Sequence, residues 1–535
     1  MKRLTLIFLA FCLSLTLFAE SETPRVDKHL RIYYDIMREL DMYYTDTLPY
    51  EQMLEVGVTA MLKRVDPYTV YFPKQKQQDV RMMTTGKYGG IGAIIQQFGD
   101  SVCVSNPYKG MPAQKAGLRA GDIILRIDST DTKGLKTDGV SKLLRGNPGS
   151  KIHLEVLREN EKLSFDFERE DITLSPVSYS ALLPDSSGYI CFSEFTERSA
   201  GVFAHALDSL NGLGMKRIVI DLRGNGGGLI DEAVKIMSLF VDRGTPIVTV
   251  KGRRTKDHTY RTASNPKYKN LPVIVLVDNQ TASAAEIVSG AMQDLDRGII
   301  VGTRTYGKGL VQNIRPIAFD GQLKLTTAKY YIPSGRCIQA IDYSKRRQDG
   351  SVERVPDSLT HTFKTRLGRT VRDGGGIVPD LVVEDDTTKK INITYDLYRK
   401  QMYFRYANHY RNTHPTVPSM KQMTITDAIF NDFVSFLEKV GYKYETETSR
   451  FYKPLFDMAN REDLDSATIA SVEALKAALE PDFHNAVYRQ RELIEKDLLS
   501  EIATRYYFND GLFYFNLQSD EVLLKALKLQ SVNKK

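Results

Sequence analysis

Ser283 lies between Ala282 and Ala284, where the apolar run VIVLV (273–277) gives way to AAEIVSGAMQDL (284–295). The first stretch reads as a strand. The second places Ile287, Val288, Ala291, Met292 and Leu295 on one helical face. A serine at such a turn stands over the end of a sheet, beside the free N–H groups of the first helical turn. That geometry suits a nucleophile, with the Ala284 N–H aimed at any oxyanion formed on it. An ordinary N-cap serine would occupy the same position. Lys308, 25 residues further on in TYGKGLVQ, could be its base. To accept a proton the amine must be neutral, and moving its pKa from ~10.4 to about 7–8 takes roughly 4 kcal/mol of burial or positive neighbours.

A second strand-to-helix turn reinforces the pair. KRIVIDL (216–222) leads into RGNGGG (223–228) and then LIDEAVKIMSLFV (229–241), which carries an apolar face at 230, 233, 234, 237, 240 and 241. A glycine run after a strand permits positive φ and lets backbone N–H groups converge on an anion, as a second oxyanion donor must. If both turns belong to one sheet, both loops lie at the carboxyl ends of their strands, where α/β folds bind ligands.

Other chemistries are excluded by single residues. Leu229 occupies the third glycine position of a dinucleotide fingerprint. GTRTYGKG (302–309) fits a phosphate-binding loop until Gly309, where a Ser or Thr should hold magnesium, and the following LVQNIRPIAF reads as a strand. No nucleotide is expected. Neither GxSxG nor HExxH occurs, and histidines such as His258 and His361 sit in polar stretches. After residue 19, Cys103, Cys191 and Cys337 form neither a disulfide framework nor a zinc site, so no metal and no cofactor are expected.

The elements that must position these residues span 535 positions, enough for several cores, with 42% hydrophobic and 26% charged residues. The net charge of +7 is spread along the chain without a dense basic block, so nucleic acid is not a partner. Lys2 and Arg3 precede an apolar run from Leu4 to Phe18, and Ala19 follows. This reads as an export signal, residues 1–19, with an uncleaved anchor as the alternative. The mature chain is then exported, periplasmic or in the cell envelope, soluble or peripherally bound to the membrane. Residues 20–83 read as helical, 84–170 as Gly-rich and strand-forming, 171–384 as alternating strands and helices, and 385–535 as helical again.

These segments together resemble the C-terminal processing (tail-specific) serine peptidases, which carry an embedded PDZ domain. The resemblance runs over about residues 25–384 and rests on DPYTVYF, YGGIGA, AQKAGLRAGDIILRID, DLRGNGGG, TASAAEI, AMQD, TYGKGLVQ, GRCIQ and DGGGIVPD. It implies a multidomain α/β and α+β protein: a crotonase- or ClpP-like α/β peptidase core, a PDZ domain, and helical N- and C-terminal regions. By position, Ser283 matches the nucleophile, Lys308 the base and Gln312 the residue that holds the lysine, which it would face from the same side of a strand. Asp294 and Glu286 match acidic positions. Asp294, sometimes counted in the charge relay, lies about three helical turns from Ser283, where a structural ion pair is an equal expectation. Ala284 and the Gly226–Gly227 pair match the oxyanion donors, the choice of glycine staying open.

Within the PDZ-like segment, Gly90, Ile91 and Gly92 offer N–H groups to a peptide's terminal carboxylate. The following strand accepts the peptide by β-augmentation, and Val140, Leu143 and Leu144 form a groove wall. The expected partners are proteins or peptides with exposed C-termini, and the terminal helical regions could assemble copies of the chain. The competing expectation is a PDZ-bearing peptide-binding protein with an inactive peptidase core.

Overall fold

The computed structural model describes residues 23–254, 256–347, 349–384, 392–462, 464–479 and 482–529. The export signal expected at 1–19 falls outside them. The chain forms two units, residues 1–71 and 72–535. The described part of the first holds two helices, α1 (Thr23–Tyr43) and α2 (Tyr50–Lys63). Glu51 in the first turn of α2 and Lys63 in its last complement the helix dipole. Leu30, Ile32, Tyr33, Tyr34 and Ile36 on α1 are exposed.

The second unit opens with α3 (Gln77–Thr85), which ends on Gly86 in the left-handed conformation. The PDZ-like segment follows: β1 (Lys87–Gly90), β2 (Ala93–Phe98), β3 (Ser101–Pro107), β4 (Ile123–Ile127), α4 (Thr137–Leu144), β5 (Lys151–Arg158), β6 (Glu161–Glu168) and β7 (Glu170–Thr173). Strands β2-β3-β4-β5-β6 form an antiparallel sheet in that order, and β1 pairs with β7. Alternate residues of β5 point inward, so Ile152, Leu154 and Val156 meet Val102, Val104 and Val140 in one small core.

The α/β region contains β8 (Val177–Leu182), β9 (Ser187–Phe192), α5 (Ser199–Gly212), β10 (Arg217–Asp221), α6 (Ile230–Met237), β11 (Pro246–Gly252), β12 (His258–Arg261), β13 (Val273–Val277), α7 (Ala284–Asp294), β14 (Ile299–Gly302), β15 (Leu310–Pro316), β16 (Gln322–Tyr331) and β17 (Leu381–Val382). One sheet runs β8-β9-β10-β13-β14-β17, parallel from β9 to β17, with β8 antiparallel at the edge. A second sheet pairs β12-β11-β16, with β15 on β16. Every residue of β13 is buried, as expected for a parallel strand covered on both faces. The α7 helix is buried on all sides, not only on the apolar face read from the sequence.

The C-terminal region is helical, including α8 (Met402–Thr413), α9 (Asp427–Lys439), α10 (Arg491–Asn516) and α11 (Glu521–Leu527). Tyr406, Phe430, Phe433 and Leu498 fill its own core. Leu517, Leu523 and Ala526 instead cover the α/β sheet at Tyr189, Val219, Ile274 and Leu276.

Candidate active site

Parallel pairing of β10 with β13 sets Asp221 beside Leu276, so the glycine loop and the serine turn leave adjacent strand ends. The two are stitched together. The Thr281 hydroxyl donates to the Leu222 carbonyl at 2.8 Å, and the Ala282 N–H to the Asn225 carbonyl at 2.9 Å. Ser283 has φ 57° and ψ −117°, a strained conformation for a residue with a Cβ. Gly227 explains how the turn fits. Its φ is +98°, and a Cβ there would lie 2.7 Å from both the Ala282 carbonyl oxygen and Ser283 Cβ.

A single carboxylate ties the serine turn to the lysine loop. Glu286, fully buried, accepts from the Ser283 N–H and the Lys308 N–H, both at 2.9 Å, on one oxygen. On the other it accepts from the Gly307 N–H at 2.7 Å and the Thr305 hydroxyl at 2.6 Å. Burial pushes its pKa up, against those four donors, each of which pulls it down. The Tyr330 hydroxyl adds a second tie, 2.7 Å from the Lys308 carbonyl oxygen and 3.1 Å from that of Ser283. Ser283 and Lys308 are half-buried and line one cavity of about 510 Å³, together with Gln312, Gly226, Gly227 and Tyr330. A nucleophile, an amine and a glycine loop facing one cleft are the parts an acyl transfer needs.

Several positions differ from the sequence expectation. Lys308 precedes β15, which starts at Leu310, and the register of β15 on β16 shifts between Val311 and Gln312. The two side chains therefore do not share a strand face through simple alternation. Gln312 donates to the Thr326 hydroxyl at 3.2 Å. Asp294 ends α7 in a buried pair with Arg336 at 2.9 Å and accepts from the Ser334 N–H at 3.0 Å, outside the residues lining the cavity. The Gly227 N–H is spent on the Asn225 side-chain oxygen at 2.8 Å, so Gly227 serves by close packing. Gly226 is the member of the pair whose N–H has no partner among the described residues.

Glu286 as a clip was within reach of the sequence, since S-x-x-E at a helix start is a capping-box signature. Tyr330, on β16 and 47 residues from Ser283, carried no local signal.

In the PDZ-like segment, β2 is an edge strand, and a cavity of about 200 Å³ along it is lined by Gly90, Ile91, Ile94, Ser141 and Leu144, among others. Val140 is fully buried in the segment's core and cannot form a groove wall. Leu143 packs on that core, and Gly92 packs against Met111; neither lines the cavity.

With this geometry in place, comparison with known proteins decides the family. Over 340 residues the chain is 34% identical to the carboxy-terminal-processing protease of Bartonella bacilliformis, covering 61% of this chain and 77% of that protein. Residues 186–344 match peptidase family S41. The chain belongs to that family. It is a serine-type peptidase of the C-terminal processing group. Residues 103–158 of this S41 peptidase match a PDZ domain, and 393–529 match the C-terminal helical domain of probable PDZ-proteases. A probable CtpA-like serine protease of Staphylococcus aureus is 33% identical over 54% of this chain and 58% of its own length. Among solved structures, the photosystem II D1 C-terminal processing protease is 26% identical, with a TM-score of 0.37 over 66% of this chain and 86% of that one. No helix among the described residues is long and apolar enough to cross a membrane.

Proposed function

We propose that this S41 peptidase is an exported endopeptidase that works through a Ser283–Lys308 dyad on proteins selected by their C-terminal tails. The observation that carries the reading is the buried Glu286 carboxylate, which holds the backbones of Ser283 and Lys308 over one cleft. Neutral Lys308 Nζ takes the Ser283 Oγ proton as Oγ attacks the scissile carbonyl carbon. The oxyanion is held by the N–H groups of Ala284 and Gly226. As the C–N bond breaks, the Lys308 ammonium returns its proton to the leaving amine. Water, deprotonated by Lys308, then hydrolyses the Ser283 ester and frees the new C-terminus. Gln312 lines the same cleft, and Asp294 supports it by fixing the end of α7 through Arg336.

Tail selection is supported by the open edge of β2, which can take an apolar peptide as an added strand with its carboxylate near Gly90 and Ile91. The test is cleavage of an unfolded, apolar-tailed protein by the mature chain and by Ser283→Ala and Lys308→Ala. Both variants should lose at least about 10³-fold in kcat/KM. Wild-type activity should rise from acid toward mildly alkaline pH. Cleavage by Ser283→Ala at the wild-type rate, or a flat profile between about pH 5 and 9 with chemistry rate-limiting, refutes the dyad.

A further inference from the structure

The glycine loop opens on a residue gripped from the far end of the chain. Arg223 directly precedes Gly224, and its guanidinium serves two carboxylates at once. Its Nε and Nη2 donate to Asp221 at 2.9 and 2.6 Å, while Nη1 and Nη2 donate to the two oxygens of Asp520 at 3.1 and 2.5 Å. Asp221 also accepts from the Tyr189 hydroxyl at 2.6 Å and from the Arg223 N–H at 3.0 Å. Asp520 is the N-cap of α11, taking the Leu523 N–H at 3.0 Å. The side chains of Asp221, Arg223 and Asp520 are 5%, 23% and 15% exposed, so the group is largely shielded from water.

The anchoring of α11 does not depend on this contact alone. Leu523 and Ala526 are buried against the sheet, and Arg217 donates to the carbonyls of Leu527 and Leu529 at 2.7 and 3.1 Å. Asp520 therefore stands on a fixed support. The loop it reaches is held through its backbone and Asn225: the Gly224 N–H meets Asp278 at 3.0 Å, and the Asn225 carbonyl and side-chain oxygens take the Ala282 and Gly227 N–H groups at 2.9 and 2.8 Å. Gly224, Gly226, Gly227 and Gly228 have no side chains with which to hold themselves, and glycine has the largest conformational freedom to lose. Its far end is pinned where the Leu229 N–H meets the Phe195 carbonyl at 2.7 Å. Its near end is Arg223. Asp221 holds one edge of the guanidinium in a two-point grip through Nε and Nη2, and Asp520 takes the other edge through Nη1 and Nη2, so the oriented fork is tied to the support of α11.

We propose that Asp520 is a positioning residue for peptide hydrolysis: α11, through Arg223, fixes the glycine loop that supplies an oxyanion donor. The C-terminal helical region thereby becomes part of the active-site scaffold. The inference rests on the Ser283–Lys308 reading given above.

The experiment uses the full mature chain and a short fluorogenic peptide without an apolar tail, so that PDZ binding plays no part. Asp520→Ala should lower kcat and the single-turnover acylation rate about tenfold, with KM within about twofold, since displacing a donor costs rate more than binding. Asp520→Glu should recover most of the loss, which general destabilisation would not do. Affinity for an apolar-tailed peptide should stay at the wild-type value. Should Asp520→Ala fail to fold, the isosteric Asp520→Asn carries the test with the same expected direction. A folded Ala or Asn variant with wild-type kcat and acylation rate overturns the proposal. Ser283→Ala in parallel keeps the two readings apart: activity surviving there removes the dyad, whereas an inactive Ser283→Ala beside a fully active Asp520 variant removes only the role of Asp520.

Discussion

The peptidase sheet and the PDZ sheet of this chain solve opposite problems with similar material. In the peptidase region, β13 is buried throughout, and the serine turn is stapled to the glycine loop through Thr281, Ala282 and Asn225 and to the lysine loop through Glu286. In the PDZ region the edge strand β2 is only half-covered, and Ile94 on it is 43% exposed beside the cavity. Bond cleavage requires a few atoms held within a fraction of an ångström, so the first region leaves no backbone slack at the serine. Recognition of a chain end requires unspent backbone donors and acceptors, so the second leaves the outer edge of β2 open, its inner edge paired with β3. Glycine serves both: Gly227 allows close packing, and Gly90 borders the cavity beside the open strand.

The sharpest way to break the contrast is to add one methyl group at the tightest point. Gly227→Ala sets a Cβ 2.7 Å from the Ala282 carbonyl oxygen and Ser283 Cβ, at a φ of +98°. Backbone, not a flexible side-chain tip, has to move. Cleavage should fall by about 100-fold or more, while tail binding to the PDZ domain stays intact. Wild-type turnover in that variant would show that the serine turn has slack after all.

Glu286→Gln comes next. The amide keeps one acceptor oxygen and puts an NH₂ where two N–H groups or the Gly307–Thr305 pair now donate. Relief of the buried charge favours the variant, but stranded donors cost ~1–3 kcal/mol each and outweigh it. We expect a loss of about 3 kcal/mol in denaturant unfolding and at least about a tenfold fall in kcat. An unchanged midpoint would mean that Glu286 is not the clip described here.

The same contrast governs how much the sequence revealed. Ser283, the glycine loop and the order of elements were legible because each rests on local periodicity or on a turn that only small residues can make. Lys308 and Gln312 were legible as a spacing, but not the register shift at Val311, which depends on how β15 meets β16. Val140 looked like a groove residue because α4 is amphipathic; its period gives an inward face but not which residue of that face meets the core and which meets the groove. Tyr330 and Asp520 act over 47 and 297 positions, from Ser283 and Arg223 respectively, and no window along the chain connects them.

On the PDZ side, Ile94→Asp sharpens the comparison by altering recognition alone. The side chain is exposed, so folding should change little, and the new carboxylate lies beside the path of an incoming tail carboxylate. KM for an apolar-tailed protein should rise by about an order of magnitude, with kcat for a short tail-free peptide unchanged. Equal losses on both substrates would remove tail docking from this edge.

The smallest effect is expected at the rim of the peptidase region, where rigidity is not needed. Asp208 on α5 pairs with Lys267 at 2.8 Å and accepts from the Tyr268 hydroxyl. Those two donors, the lysine first, hold its pKa below the ordinary carboxylate value. A lowered folded pKa means that the stabilisation is present above the unfolded value of about 3.9 and disappears as pH falls through the folded one. The pair is 59% and 46% exposed, so screening by water and salt leaves it below ~1 kcal/mol. Asp208→Asn should therefore lower the unfolding midpoint slightly at pH 7, less so in high salt, and the gap to wild type should narrow progressively as pH falls below the unfolded carboxylate value of about 3.9. A gap that keeps its size in acid would assign the effect to the hydrogen bond from Tyr268 and not to charge. Throughout, turnover at pH 7 should match wild type, because Asp208, Lys267 and Tyr268 lie outside the residues lining the cleft.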